Sequence, residues 1–258
     1  MKRCFLFSFI ISVFMLFAQD DTLLLPFDAT SLTDDQKASN PDYLAYPLNL
    51  ENQIPNIRCN PSDCMEAVDL GLSVLWATCN VGASSPEDYG DYFAWGETQP
   101  KENYNFTTYK YSKGTNTTLT KYCNNSSYGY NGFTDNKTVL DPEDDAAIVN
   151  WGGLWRMPTE VEQTELIEKC TWTWTTQNGV IGYKVVGPNG NSIFLPAAGF
   201  KSDAETKTAG LSGSYWSSSF VVRISISNCA IRMYFVSNDV YHGHCSRGYG
   251  LPIRPVCK

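Results

Sequence analysis

Apolar and polar residues alternate in several short stretches of this chain, and helical periodicity is rare. Cys229, Ile231, Met233 and Phe235 alternate with Ala230, Arg232, Tyr234 and Val236, which predicts a half-buried strand with the first set inward. Thr171–Gln177 and Val180–Val186 flank Asn178-Gly179. This predicts a type I′ hairpin, because both central residues need positive φ. Trp172 and Trp174 share one face of its first strand; Ile181, Tyr183 and Val185 share one face of the second. Gly187-Pro188-Asn189-Gly190 is a turn before a strand at Ser192–Leu195. Further strands are expected at Ala67–Ala77, Gly90–Trp95, Ser214–Val222 and Leu251–Cys257. The last belongs at an edge or a bulge, because Pro252 and Pro255 cannot donate to a ladder.

Two short helices are expected. One covers Asp144–Asn150. The other starts at Thr159-Glu160-Val161-Glu162, which has capping-box spacing, and runs to about Cys170. Leu166, Ile167 and Cys170 fall in one arc, so Cys170 is expected to be buried; Glu162, Glu165 and Glu168 form the solvated side. Residues 98–140 are rich in Tyr, Asn, Thr, Ser and Gly and read as a long polar insertion. The pattern is α+β: a dominant twisted antiparallel sheet, two short helices and long polar loops.

The start of the chain changes the picture. Lys2 and Arg3 precede an apolar run from Phe5 to Ala18, followed by Gln19-Asp20-Asp21. This is the form of a secretory signal peptide cleaved near Ala18, and no later segment is apolar enough to span a membrane. Residues 19–66 carry nine acidic and two basic side chains and five prolines, so they read as an acidic extended leader. Residues 67–258 hold all seven Trp and form one domain. The net charge of −8 argues against a phosphate-backbone binder, which needs clustered Lys and Arg, so no nucleic-acid partner is expected. Beyond Cys4, eight cysteines remain, an even number that suits disulfides in an exported chain and leaves their pairing open.

Several segments resemble the Fibrobacter succinogenes major paralogous domain family. They are Ala67-Val68-Asp69-Leu70-Gly71-Leu72-Ser73-Val74-Leu75-Trp76-Ala77, Tyr92-Phe93-Ala94-Trp95-Gly96-Glu97 and Trp151-Gly152-Gly153-Leu154-Trp155-Arg156-Met157-Pro158-Thr159. Leu195-Pro196-Ala197-Ala198-Gly199-Phe200, Tyr215-Trp216-Ser217-Ser218-Ser219 and Gly250-Leu251-Pro252-Ile253-Arg254-Pro255-Val256 continue the likeness, which spans 67–258 in order. It implies an exported bacterial protein with a C-type-lectin-like fold and no established reaction. Such folds host unrelated functions, so function must come from the site.

Only two histidines exist, which removes most Ser-His-Asp and multi-His schemes. His242-Gly243-His244 with Cys245 reads as a polar loop rather than a zinc site, and Asp141-Pro142-Glu143-Asp144-Asp145 as a helix-start acidic cluster rather than a calcium loop. Phe235-Val236-Ser237-Asn238-Asp239 comes near a calcium-lectin motif but lacks its Pro-centred partner. Cys229 and Cys245 are the pair a formylglycine-generating-oxidase-like enzyme would use, but Cys229 lies on an inward set. No catalytic residue, metal or cofactor is expected. What remains is a binding surface at 217–249, for a glycan or a protein at the cell surface. Its candidate contacts are Ser219, Arg223, Tyr234, Asn238, Asp239, Tyr241, His242, His244 and Arg247. Adenine-directed randomisation of Asn codons cannot give Lys, Glu, Gln, Trp or Met, and this window contains none of them except Met233, which sits on the expected inward set. An adhesin-tip role is the neighbouring alternative.

Overall fold

A computed structural model describes residues 65–221 and 227–258. The expected signal peptide, nearly all of the leader and Arg223 lie outside the described residues. Every strand ladder is antiparallel, and the sheet is divided rather than dominant. The strands β1 (Ala67–Val68), β2 (Leu75–Ala77) and β11 (Val256–Cys257) form one sheet in the order β1-β2-β11. A second runs β3 (Thr171–Gln177), β4 (Val180–Val186), β5 (Ser192–Pro196), and a two-stranded ribbon pairs β6 (Phe200–Ser202) with β7 (Glu205–Lys207). The third three-stranded sheet has the order β10-β9-β8, from β8 (Ser212–Phe220), β9 (Cys229–Val236) and β10 (Asp239–Ser246). The helices are α1 (Ala146–Trp151) and α2 (Glu160–Lys169). Among the described residues no helix is long and apolar enough to cross a membrane.

The strongest local signals hold. Asn178 and Gly179 have φ of 47° and 84°, and Trp172 and Trp174 meet Tyr183 edge-on across the ladder. Ile181 departs from its expected set and is exposed. Thr159 caps α2: its hydroxyl accepts from the Glu162 N–H while Glu162 accepts from the Thr159 N–H.

Other expectations need correction. Ala67–Ala77 is not one strand, because Asp69 accepts from the Gly71 N–H, Gly71 takes φ 75°, and Val68 pairs back onto Trp76. Gly90–Trp95 makes only an isolated bridge, Phe93 to Leu251, and the last strand is confined to Val256–Cys257 beyond the prolines. The first helix is a 3-10 turn at Pro142–Asp144 followed by α1, broken where Asp145 caps the second piece. Glu162 and Glu165 are not merely solvated: Glu162 pairs with Arg156, and Glu165 accepts from Ser73 and Lys169. Cys170 is half-buried as the residue that ends α2, packed with Ile167 beside Leu166. Cys170→Ser is therefore expected to cost about 1 kcal/mol in urea unfolding, toward the low end for adding a polar group to a half-buried site.

Two cores result. One gathers Phe93, Trp95, Tyr104, Tyr109, Tyr111, Tyr122, Trp216 and Phe220; the other gathers Trp76, Leu166, Tyr183, Val185, Tyr215, Met233 and Phe235. The polar insertion thus supplies four of the buried tyrosines of the first core. Its anchor is Asp144, 1% exposed, which accepts from Lys110, Lys121, Tyr111 and Tyr122.

Candidate functional site

Strands β9 and β10 form a ribbon in full register from Asp239↔Val236 to Ser246↔Cys229. At its inner edge β8 bulges: the register moves from Trp216↔Arg232 to Phe220↔Ala230, leaving Ser217–Ser219 opposite Ile231 alone. The serines satisfy the freed backbone. Ser217 Oγ donates to the Ile231 carbonyl at 3.0 Å, Ser218 N–H donates to the Pro158 carbonyl at 2.8 Å, and Ser219 Oγ accepts from the Glu160 N–H at 3.0 Å. Bulges raise local twist, and here the ribbon buries opposite faces at its two ends. Met233 and Phe235 enter the second core, while Ala230 and Cys245 pack against the first. The expected inward set of β9 therefore holds for Met233 and Phe235, whereas Cys229 and Ile231 are only half-buried and Ala230 takes their place inside.

A groove of about 550 Å³ runs along the β10 edge and reaches both faces of the strand, lined by Glu160, Val221, Ile231, Arg232, Tyr241, His242, Gly243 and His244. Arg232 lies 4.5 Å over the Tyr234 ring, and Tyr234 packs against Tyr241 at 5.3 Å. Tyr241 is 45% exposed and His244 is exposed. His242 is half-buried under α2; its Nδ1 is 3.4 Å from Thr164 Oγ1, and its Nε2 is enclosed without a partner. Burial holds the His242 pKa below its ordinary value, against the opposing pull of Glu160 and Glu168.

The expected contacts are thus brought together in part. Tyr234, Tyr241, His242 and His244 share the ribbon around the groove, and Asn238 and Asp239 are exposed at its hairpin tip. Ser219 is used internally at the start of α2. Arg247 is a correction: it is fully buried, not an exposed anchor. Its Nη1 donates to the carbonyls of Lys121 and Tyr122, and the rings of Trp95, Tyr109 and Phe220 surround the guanidinium at 5.5–5.7 Å. The sequence reading left out Arg232, Gly243 and Glu160. Alternation on β9 places Arg232 outward beside Tyr234, and the strand partner of Arg232 is Gly243, so that signal was available.

Among the described residues, Asp141, Glu143 and Asp144 are the acidic, His or Cys groups close enough to share one cation. The Lys121 ammonium already stands there, 2.6 Å from Asp141 and from Asp144 and 3.5 Å from Glu143. Cys79 is disulfide-bonded, and Cys123, Cys170, Cys229 and Cys245 are free thiols. Burial raises the pKa of Cys229 and pushes that of Cys245 up to about 11, the reverse of an activated thiol. No protein-family model, curated protein or solved structure matches the chain.

Proposed function

We propose that the chain is an exported, non-catalytic ligand-binding or adhesion protein of the bacterial cell envelope, and that it binds a glycan or a protein surface through the β9–β10 ribbon. The observation that carries this reading is the groove. An exposed tyrosine and a stacked arginine on one face, and two imidazoles on the other, line it along a strand that is the edge of its sheet among the described residues. Tyr and Arg on a rigid support are what recognition surfaces use, because little rotamer freedom is lost on contact. Resemblance to the Fibrobacter succinogenes major paralogous domain supports export and a C-type-lectin-like arrangement, with which small antiparallel sheets and two short helices agree. The high thiol pKa values of Cys229 and Cys245 weigh against an oxidase-like enzyme.

The test is a glycan array and an envelope-extract pull-down with the folded protein, repeated with Tyr241→Ala plus Arg232→Ala. Binding is expected to fall by about 2 kcal/mol or more, with the melting temperature little changed. Unchanged binding of every captured ligand would remove the groove from the account. If the window is diversified, copies should differ at Tyr234, Asn238, Asp239, Tyr241, His242 and His244. They should spare the buried Met233 and Arg247, and a reverse transcriptase and template repeat should neighbour the gene.

A further inference from the structure

The floor of the groove lacks a side chain. Gly243 pairs with Arg232 across the ladder, and a β-carbon built on Gly243 would lie 3.8 Å from Arg232 Nε and 3.8 Å from the Tyr241 ring. Both are ordinary contact distances, and Gly243 is not among the residues with positive φ. Neither crowding nor backbone conformation demands glycine here. What its absent side chain leaves is a slot with a guanidinium on one wall and a phenol ring on the other.

Arg232 is held ready. Its Nη1 donates to Ser214 Oγ at 2.6 Å, and the Tyr234 ring supports its plane. Its Nε is enclosed beside the slot with no hydrogen-bond partner. The partner it has is a neutral hydroxyl, and among the described residues no carboxylate is ion-paired with it. A fixed, planar, uncompensated guanidinium matches a carboxylate, which it can engage through two parallel hydrogen bonds. Around the β10 edge, on the other face of the strand, the same groove offers partners for hydroxyl groups: Glu160 accepts and the His244 imidazole both donates and accepts. Tyr241 offers an exposed ring for the C–H face of a pyranose. A groove of about 550 Å³ is small for a folded partner and within the range of small-ligand sites.

We propose that this slot binds a carboxylate-bearing sugar residue of a glycan, a uronic or sialic acid, with the carboxylate on Arg232 over Gly243 and the ring against Tyr241. The proposal rests on the ligand-binding reading and names the ligand class of the same groove. An acidic peptide adding to the β10 edge would rely on backbone hydrogen bonds and would have no need of the slot.

The experiment titrates the full chain with trigalacturonic acid, its methyl ester, sialyllactose and lactose, and repeats the series with Arg232→Gln and Gly243→Ala. Gly243→Ala fills the slot at contact distance, so its melting temperature should match that of the parent. At least one acid is expected to bind about tenfold or more tighter than its neutral counterpart, and more weakly at high salt. Each variant should reduce that affinity by about tenfold or more. If ester and lactose bind as well as the acids, and both variants weaken all of them, the carboxylate assignment falls and the groove stands. If an acid binds but neither variant changes its affinity, the groove falls too. If no sugar binds at about 10 mM while polyglutamate binds in an Arg232-dependent manner, the saccharide assignment is overturned in favour of a protein ligand. No binding by any of these probes overturns the proposal outright.

Discussion

Asp144→Asn is expected to destabilise the protein by about 3–5 kcal/mol, as breaking a buried ion pair does, read as a lower urea midpoint. Asp144 is 1% exposed and accepts from Lys121 Nζ at 2.6 Å, Lys110 Nζ at 3.2 Å and Tyr122 Oη at 2.7 Å, with Tyr111 as its fourth donor. Burial alone would push its carboxyl up. The hydrogen bonds from Lys121, Tyr111, Tyr122 and Lys110 outweigh burial and hold its pKa at about 2. An amide leaves the Lys121 charge facing fewer anions and gives two phenols a poorer acceptor. The same shift fixes an acid dependence. The folded value lies below the ordinary 3.8, so the ionised group's contribution is present above pH 3.8 and is lost as pH falls toward 2. In the variant this acid-linked loss should be absent. A midpoint shift under about 0.5 kcal/mol would show that the insertion folds without its anchor.

Arg247→Ala is expected to cost about 3–5 kcal/mol, by opening a cavity and orphaning a buried carbonyl. The Tyr122 carbonyl, 2.8 Å from Arg247 Nη1, belongs to a bulky residue at φ 56°, a conformation that the surrounding bonds hold in place. The cage of Trp95, Tyr109 and Phe220 would lose its filling. Arg247→Met separates packing from charge. Met also leaves the Tyr122 carbonyl without its donor, but it removes a buried charge whose Nε and Nη2 have no partner and does not open the space. The Met variant should therefore lie within about 1–2 kcal/mol of the parent. Calorimetric melting of both variants checks this. An Ala variant that melts normally but loses ligand would return Arg247 to the binding surface.

What the sequence made legible was local. Asn178-Gly179 and the Thr159–Glu162 capping box work within four residues, and both formed as their chemistry requires. The alternation in Cys229–Val236 gave the strand its bounds and the inward faces of Met233 and Phe235, but not those of Cys229 and Ile231, where a three-serine bulge in the neighbouring strand breaks the register. Strand β10 was missed: Tyr241-His242-Gly243-His244 has loop composition, and only pairing with β9 makes it a strand. Arg247 misled for a related reason. An arginine in a polar stretch reads as exposed, and the rings that enclose it come from residues 95, 109 and 220. Asp144 was legible as part of an acidic helix start, but its four donors lie 22 to 34 residues away along the chain.

The sheet β1-β2-β11 joins Trp76 to Val256 and Leu75 to Cys257, so its central strand receives its second neighbour only after the long stretch of chain between them has been made. On the ribosome, Trp76 and the second core must wait for the segment around Val256 to emerge. Pairing across so much chain carries a large loop-closure cost before any contact rewards it, which slows folding. Domains closed in this way pass through states with unpaired strand edges and exposed apolar surface, where association with other chains competes with folding. Vectorial synthesis therefore leaves β2 as an open edge until the segment around Val256 has been made.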